Sequence, residues 1–322
     1  MAKKDVITKL LTKQNDYFAD IFNHLLFHKD LIDPDKLSEK DAEQLFPRID
    51  SQKEKELYRD VFKKAVIKYD DKNTYVLLGI ENQSEIAYNM PARVMLYDAL
   101  SYRQQLQQIK HKNRKNNTLS SAEWLSGFSK ADRILPVISL VIYWSPKAWD
   151  GPRCLHDMFD QLHPLISEYV SNYHVNIFSL YEIPLSSISS MKSDIGLLFE
   201  FLKYSNDMAK VRQYRKDKRF SNVPFEIADA IRIMADMKIE LRKDQEGNTD
   251  MCEGLRLLRE QDKAEARAEA LIEGKIEGKI EGKIETRNES RMIFIDYLMK
   301  QGKSKAEAIK EADKVFPFLT EA

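Results

Sequence analysis

Almost nothing in this chain can cross-link it, and its overall charge pulls on no polyanion. Its 322 residues hold two cysteines, Cys154 and Cys252, with no Cys or His at ligand spacing around them. A disulfide framework and a structural zinc site are both unsupported. No apolar run approaches the 18 or more residues that a membrane span requires, and Met1-Ala-Lys-Lys-Asp5 leads into no stretch of signal-peptide length. The expectation is a soluble, cytoplasmic protein with no membrane partner. Lys plus Arg and Asp plus Glu number 51 each, so the net charge is zero. Any binding of nucleic acid must therefore come from local basic patches. What is present is a hydrophobic fraction of 43%, enough for a folded core, and a charged fraction of 32%, which suits a helix-rich surface. The length allows one large or two modest domains.

The stretch around which the chain is organised is Tyr75-Val-Leu-Leu-Gly-Ile-Glu-Asn-Gln-Ser84. Its apolar start reads as a buried strand, and strand side chains alternate faces, so Glu81 and Gln83 emerge on one side. A carboxylate at the end of a core strand is costly unless something uses it. Upstream, Leu57 to Tyr69 is also strand-like, and the turn formers Asp70-Asp-Lys-Asn73 between the two runs suit a hairpin. Pairing Tyr69 with Thr74 sets Asp60 opposite Gln83 and diagonal to Glu81, roughly 5 to 8 Å away between Cβ atoms. Two carboxylates at that separation can hold a divalent cation, with Mg²⁺ favoured by all-oxygen ligation. A slip of one residue would turn Asp60 to the other face. The competing reading is a solvated rim, with Asp60 beside Arg59 and Glu81 at a strand end. Two close carboxylates repel, so Glu81→Gln is expected to relieve strain in the metal-free protein and leave its folding nearly intact or improved.

These residues carry a resemblance. Asp60 followed by a hairpin and Glu81-Asn-Gln83 resembles the D…E-x-Q form of the PD-(D/E)XK nuclease superfamily, with Gln where Lys is usual. Further motifs are Asn15-Asp-Tyr-Phe18, Arg59-Asp-Val-Phe62, Met90-Pro-Ala-Arg93 with Met95-Leu-Tyr-Asp98, and Leu135 to Pro146 with Trp149-Asp-Gly-Pro152. In order and combination they resemble the recombination-promoting nuclease (Rpn-like), transposase-like family, from about residue 10 to about residue 240. The resemblance implies an α/β, restriction-endonuclease-like core, a mixed sheet flanked by helices, followed by an α-helical C-terminal region. It implies a Mg²⁺-dependent DNA endonuclease tied to recombination or mobile elements. Asp60 and Glu81 would be metal ligands and Gln83 the third catalytic residue.

Along the chain, Asn15 or Asp16 can cap a helix with Phe18, Ile21, Phe22, Leu25 and Leu26 on its apolar face. Asp16 either caps or reaches the metal region, as the family's first helix often does. Ser38-Glu-Lys-Asp41 resembles a capping box for a short helix, and residues 29 to 53 would also fit a first strand or an insertion. Met90-Pro91 opens a helix ended by the basic loop Lys110 to Asn117. Lys110, Lys112, Arg114 and Lys115 in that loop are candidate phosphate contacts. Arg93 and Tyr97 share a helical face, where they either orient a phosphate or belong to the core. Ile134 to Trp144 and Val175 to Tyr181 read as strands, and His156, Asp157 and His163 after the first fit no common ligand motif. A second basic cluster lies between Lys210 and Arg219.

The expected boundaries are a nuclease-like core over 10–185, a helical extension packing on it over 186–245, a charged helix and linker over 246–288, and a helical hairpin over 289–322. The linker contains Ile272-Glu-Gly-Lys repeated to Ile284. A four-residue period drifts about 40° per repeat on an α-helix, and each Gly costs about 1 kcal/mol relative to Ala. It reads as a marginal helix or linker that supports self-association, which makes the C-terminal region the expected seat of a homo-oligomer. Two functions compete: the Mg²⁺-dependent DNA endonuclease, and a nuclease-like DNA-binding or oligomerisation scaffold without catalysis.

Overall fold

The computed structural model describes residues 3–40, 60–69, 72–117 and 119–317. The expectations placed on Phe46 to Asp50, on Leu57 to Arg59 and on the Asp70-Asp71 turn lie outside the described residues. The chain divides into two compact units, Met1–Leu255 and Arg256–Ala322.

The first unit is built on a five-stranded mixed sheet in the order β1 (Ser38–Glu39), β2 (Val61–Tyr69), β3 (Lys72–Gln83), β4 (Val137–Tyr143), β5 (Asn176–Ser179). The first three strands are antiparallel neighbours, and β3, β4 and β5 run parallel. Ser38 and Glu39 thus pair with Lys64 and Lys63 as an edge strand, the first strand that this segment also allows, and not as a helix cap. The hairpin is as the turn residues predict, but its register differs: Tyr69 pairs with Lys72. Every partner is displaced by two residues from the expected pairing. An even shift leaves each side chain on its own face.

Alternation then sorts the sheet into two faces. Val61, Ala65, Val76, Leu78, Ile80, Leu140 and Ile142 enter the main core. It is covered by α1 (Lys3–Lys13), α2 (Asn15–Ile21), α4 (Ile195–Lys203) and α5 (Phe225–Met234). On the opposite face, Val141, Tyr143 and Ile177 pack against Met90 and Val94 of α3 (Met90–Asn116), the crossover between β3 and β4. Burial of both faces explains why β4 reads as an unbroken apolar run.

Three helical details depart from the sequence reading. Helix α1 was not foreseen. Its buried Thr8, Leu11 and Thr12 form a short apolar stripe between lysines. At α2 the N-cap position is Gln14, without a side-chain cap; Asn15 instead accepts a hydrogen bond from the buried Lys63 ammonium through Oδ1. α2 passes directly into a π-helical turn, Phe22–Phe27. Finally, α3 does not stop at Lys110. It runs to Asn116 and ends on Asn117, whose left-handed backbone (φ 50°) closes the last turn.

Helix α6 (Met251–Lys300), all but its first turn in the second unit, is helical through the whole Ile-Glu-Gly-Lys repeat, with Ile272, Ile276 and Ile280 exposed. α7 (Lys305–Val315) folds back on its end, opened by the Ser304 and Glu307 capping box. Leu298, Ala308 and Ala312 are buried between them, the Phe294 and Phe316 rings lie 5.9 Å apart, and Arg291 pairs with Asp313 at 2.6 Å.

Candidate active site

β3 ends with three polar residues in succession, and alternation sends them to different faces. Glu81 and Gln83 point to the α3 side, Asn82 to the main core. Continuing the β2–β3 pairing one step beyond Val61 and Ile80 sets Asp60 opposite Glu81, on the same face. Directly opposed residues in an antiparallel pair have Cβ atoms about 4.5–5.5 Å apart. Glu81 stands at the carboxyl end of the parallel strands, the usual place for a site in an α/β sheet.

Each carboxylate is held. Glu81 is 1% exposed, and its Oε2 accepts a hydrogen bond from Arg93 Nη2 at 2.9 Å. Arg93 Nε in turn donates to Tyr97 Oη at 3.1 Å. The first turn of α3 therefore delivers a cation to the end of β3, and Arg93 and Tyr97, one turn apart, act on one face as their spacing predicts. Asp60 is half-buried, and its Oδ2 accepts from the Asn82 backbone N–H at 2.8 Å. Burial pushes the Asp60 carboxyl above its ordinary range, against the opposing pull of the Asn82 N–H and of the Lys9 and Arg93 charges. Burial, the largest single influence, would weaken the Arg93 proton, but the charges and hydrogen bonds of Glu81 and Tyr97 together outweigh it and hold the guanidinium still more firmly charged. Tyr97 is raised by burial first and by Glu81 second, so its phenol keeps its proton.

Asn82 carries the site's scaffold. Its side chain donates from Nδ2 to Thr12 Oγ1 at 3.0 Å, and its Oδ1 accepts from Trp144 Nε1 at 2.9 Å. One residue thereby ties β3 to α1 and to the end of β4 while its own N–H fixes Asp60. Sequence reasoning passed over it. The signal was there, since a polar residue aimed into the core from a buried strand must find partners.

The other candidates lie elsewhere. Asp16 is exposed in the first turn of α2. Asp20, one turn on, is buried and accepts from the Lys192 and Ser193 backbone N–H groups. Lys110, Lys112, Arg114 and Lys115 ride the last turns of α3, so Lys110 lies about 25 Å along the helix axis from Arg93. There, Arg114 stacks 5.5 Å over Trp124 and the buried Asn113 holds Gly127 O and Asp132. In the later basic cluster, Arg219 is engaged by Glu200 and Asp217. The histidines after β4 serve the loop: His156 Nε2 is 2.8 Å from Val170 O, and His163 Nδ1 accepts from Leu165 N.

Among the described residues, no three His, Cys, Asp or Glu side chains converge to hold a metal. The donor set is instead two carboxylates on one face. That fits an ion such as Mg²⁺, which takes one or two carboxylates and completes its shell with water and phosphate. It does not fit zinc, which wants three or four protein ligands. Among the described residues, no helix is long and apolar enough to cross a membrane.

The family profile described as "Putative transposase, YhgA-like" matches residues 49–218, just over half of the chain. No curated protein and no solved structure matches it.

Proposed function

Since the chain belongs to the YhgA-like transposase family, the Rpn-like branch of the PD-(D/E)XK fold, we propose that it is a Mg²⁺-dependent DNA endonuclease associated with recombination or mobile elements. The observation that carries this reading is the placement of Asp60 and Glu81 on one face at the end of β3. These two carboxylates would hold the ion. When bound, Mg²⁺ would polarise the phosphate and lower the pKa of a coordinated water.

The protein's own groups prepare the rest. The Asn82 N–H fixes the Asp60 carboxylate, and Arg93 fixes that of Glu81. Losing such surrounding hydrogen bonds typically costs about 10- to 100-fold in metal affinity. Gln83, on the same face as Glu81, positions the attacking water or a phosphate oxygen through its amide. It can neither accept the proton as a base nor carry charge. DNA is the macromolecular partner, and the exposed Ile272, Ile276 and Ile280 row of α6 supports self-association into a homo-oligomer.

One observation favours the second reading, a nuclease-like scaffold that binds DNA without cutting it. Arg93 already neutralises Glu81, so this carboxylate does not need a metal to be buried. Plasmid nicking by the purified full chain decides between them. The endonuclease reading expects Mg²⁺-dependent nicking that is lost in Asp60→Ala while binding persists. A wild-type chain that binds DNA and leaves it intact with Mg²⁺ would establish the scaffold.

A further inference from the structure

Helix α1 lies before the residues that the family profile matches, yet it lines the end of β3. Asp5 Oδ1 accepts from Ser84 Oγ at 2.9 Å, and Thr12 Oγ1 accepts from Asn82 Nδ2 at 3.0 Å. Ser84 and Asn82 flank Gln83 in sequence. Asp5, Lys9 and Thr12 are spaced i, i+4 and i+7, so they form one stripe on the helix. Both ends of that stripe are fastened to the end of β3, and Lys9 sits between them, half-buried. Resting on the endonuclease reading above, we infer that Lys9 of α1 is the cation that meets the DNA phosphate at the Asp60 and Glu81 site.

The charge balance of the site supports this. A phosphodiester approaching Asp60 and Glu81 meets two carboxylates. Gln83 brings no charge, and Arg93 is spent on Glu81 and Tyr97. Held between the Asp5–Ser84 and Thr12–Asn82 contacts, Lys9 sits beside the end of β3, and its charge reaches the Asp60 carboxyl. A lysine on a four-carbon stem suits the task, as a mobile point charge that can follow a phosphate. Lys3 is the built-in control, since it lies on the opposite side of α1 from the stripe.

The test uses the full chain and a 20-base-pair duplex without metal, read by fluorescence anisotropy over a range of salt. Lys9→Met is expected to weaken binding three- to tenfold and to reduce the slope of log affinity against log salt by about one, the signature of one lost phosphate contact. Lys9→Arg should keep the slope, and Lys3→Met should keep both slope and affinity. With Mg²⁺ and saturating plasmid, Lys9→Met should also nick at least tenfold more slowly. Unchanged affinity and slope in Lys9→Met overturn the inference, as does an equal loss in Lys3→Met. Should Lys9→Met unfold, Lys9→Gln is read in the same way. If the wild type does not nick but Lys9→Met loses affinity, the endonuclease reading falls and the phosphate contact stands. If the wild type nicks and Lys9→Met is unaltered in binding and rate, the reverse holds.

Discussion

Arg93 Nη2 lies 2.9 Å from Glu81 Oε2, and this pair changes what removing the Glu81 charge should do. From the sequence, two facing carboxylates would repel and Glu81→Gln would relieve them. In the fold, Glu81 is 1% exposed and its charge is matched by a guanidinium that is itself mostly buried. Glu81→Gln would leave Arg93 without its counter-charge. The expected outcome is a loss of about 1–3 kcal/mol in metal-free stability, with nicking reduced about a hundredfold or more. Thermal unfolding without metal, run beside plasmid nicking with Mg²⁺, checks both. A rise in stability would restore the repulsion argument.

Asp60 should make the protein less stable as pH rises. Burial raises its folded pKa above the ordinary 3.8. The folded state therefore holds this proton more tightly than the unfolded chain does. Its favourable contribution is complete below about pH 4 and is lost as pH climbs through the raised value. Asp60→Asn keeps an oxygen for the Asn82 N–H and cannot ionise. Its melting temperature should exceed that of the wild type at pH 7 and converge with it near pH 4. Parallel curves across that interval would show that Asp60 ionises in the fold at no cost.

Asp98 is the pin that holds α3 to the sheet. It is 7% exposed, with Oδ1 accepting from Ser139 Oγ at 2.5 Å and Oδ2 accepting from Tyr173 Oη. Asp98→Ala would strand two hydroxyls and is expected to cost about 2–4 kcal/mol. Combined with Tyr173→Phe, it should cost less than the two changes separately, because they share one interaction. Urea unfolding of the four proteins measures this coupling, and strict additivity would contradict it.

The cations at the far end of α3 should matter only to long DNA. About 25 Å of helix separates Lys110 from Arg93, a span of roughly seven base pairs. Replacing Lys112 and Lys115 with alanine should weaken binding of a 20-base-pair duplex about threefold or more and leave a six-base-pair duplex unaffected. Equal losses on both lengths would place these lysines beside the site instead.

Face was more legible in the sequence than register. The hairpin, the alternation of Glu81 and Gln83, and the apolar β4 run followed from periodicity and turn residues, which are local. The register depended on a loop whose exact length composition does not dictate. The error was two residues, and even errors preserve face, so Asp60 still joined Glu81. Arg93 came within reach because one helical turn sets it against Tyr97. Helix α1 and the Asn82 anchor were harder to see. Lys3–Lys13 has only a narrow apolar stripe, and its place depends on Thr12 meeting Asn82 seventy positions away. Such a meeting leaves no trace in spacing. The length of α3 was missed for another reason: its last turns are polar throughout, and Asn113 at its inner face is held by Gly127 O and Asp132 instead of by a core.

The contact between Thr12 and Asn82 also separates two kinds of boundary. The stretch by which this chain is grouped with others starts at residue 49, whereas the cooperative unit that shapes Asp60 and Glu81 reaches back to the first turns of α1. Excising the shared stretch alone would remove Phe18, Phe22 and Leu25 from the core and one of the three anchors of Asn82. The heritable module and the folding module of this protein are therefore different lengths, and variation upstream of residue 49 can tune the site without touching its carboxylates.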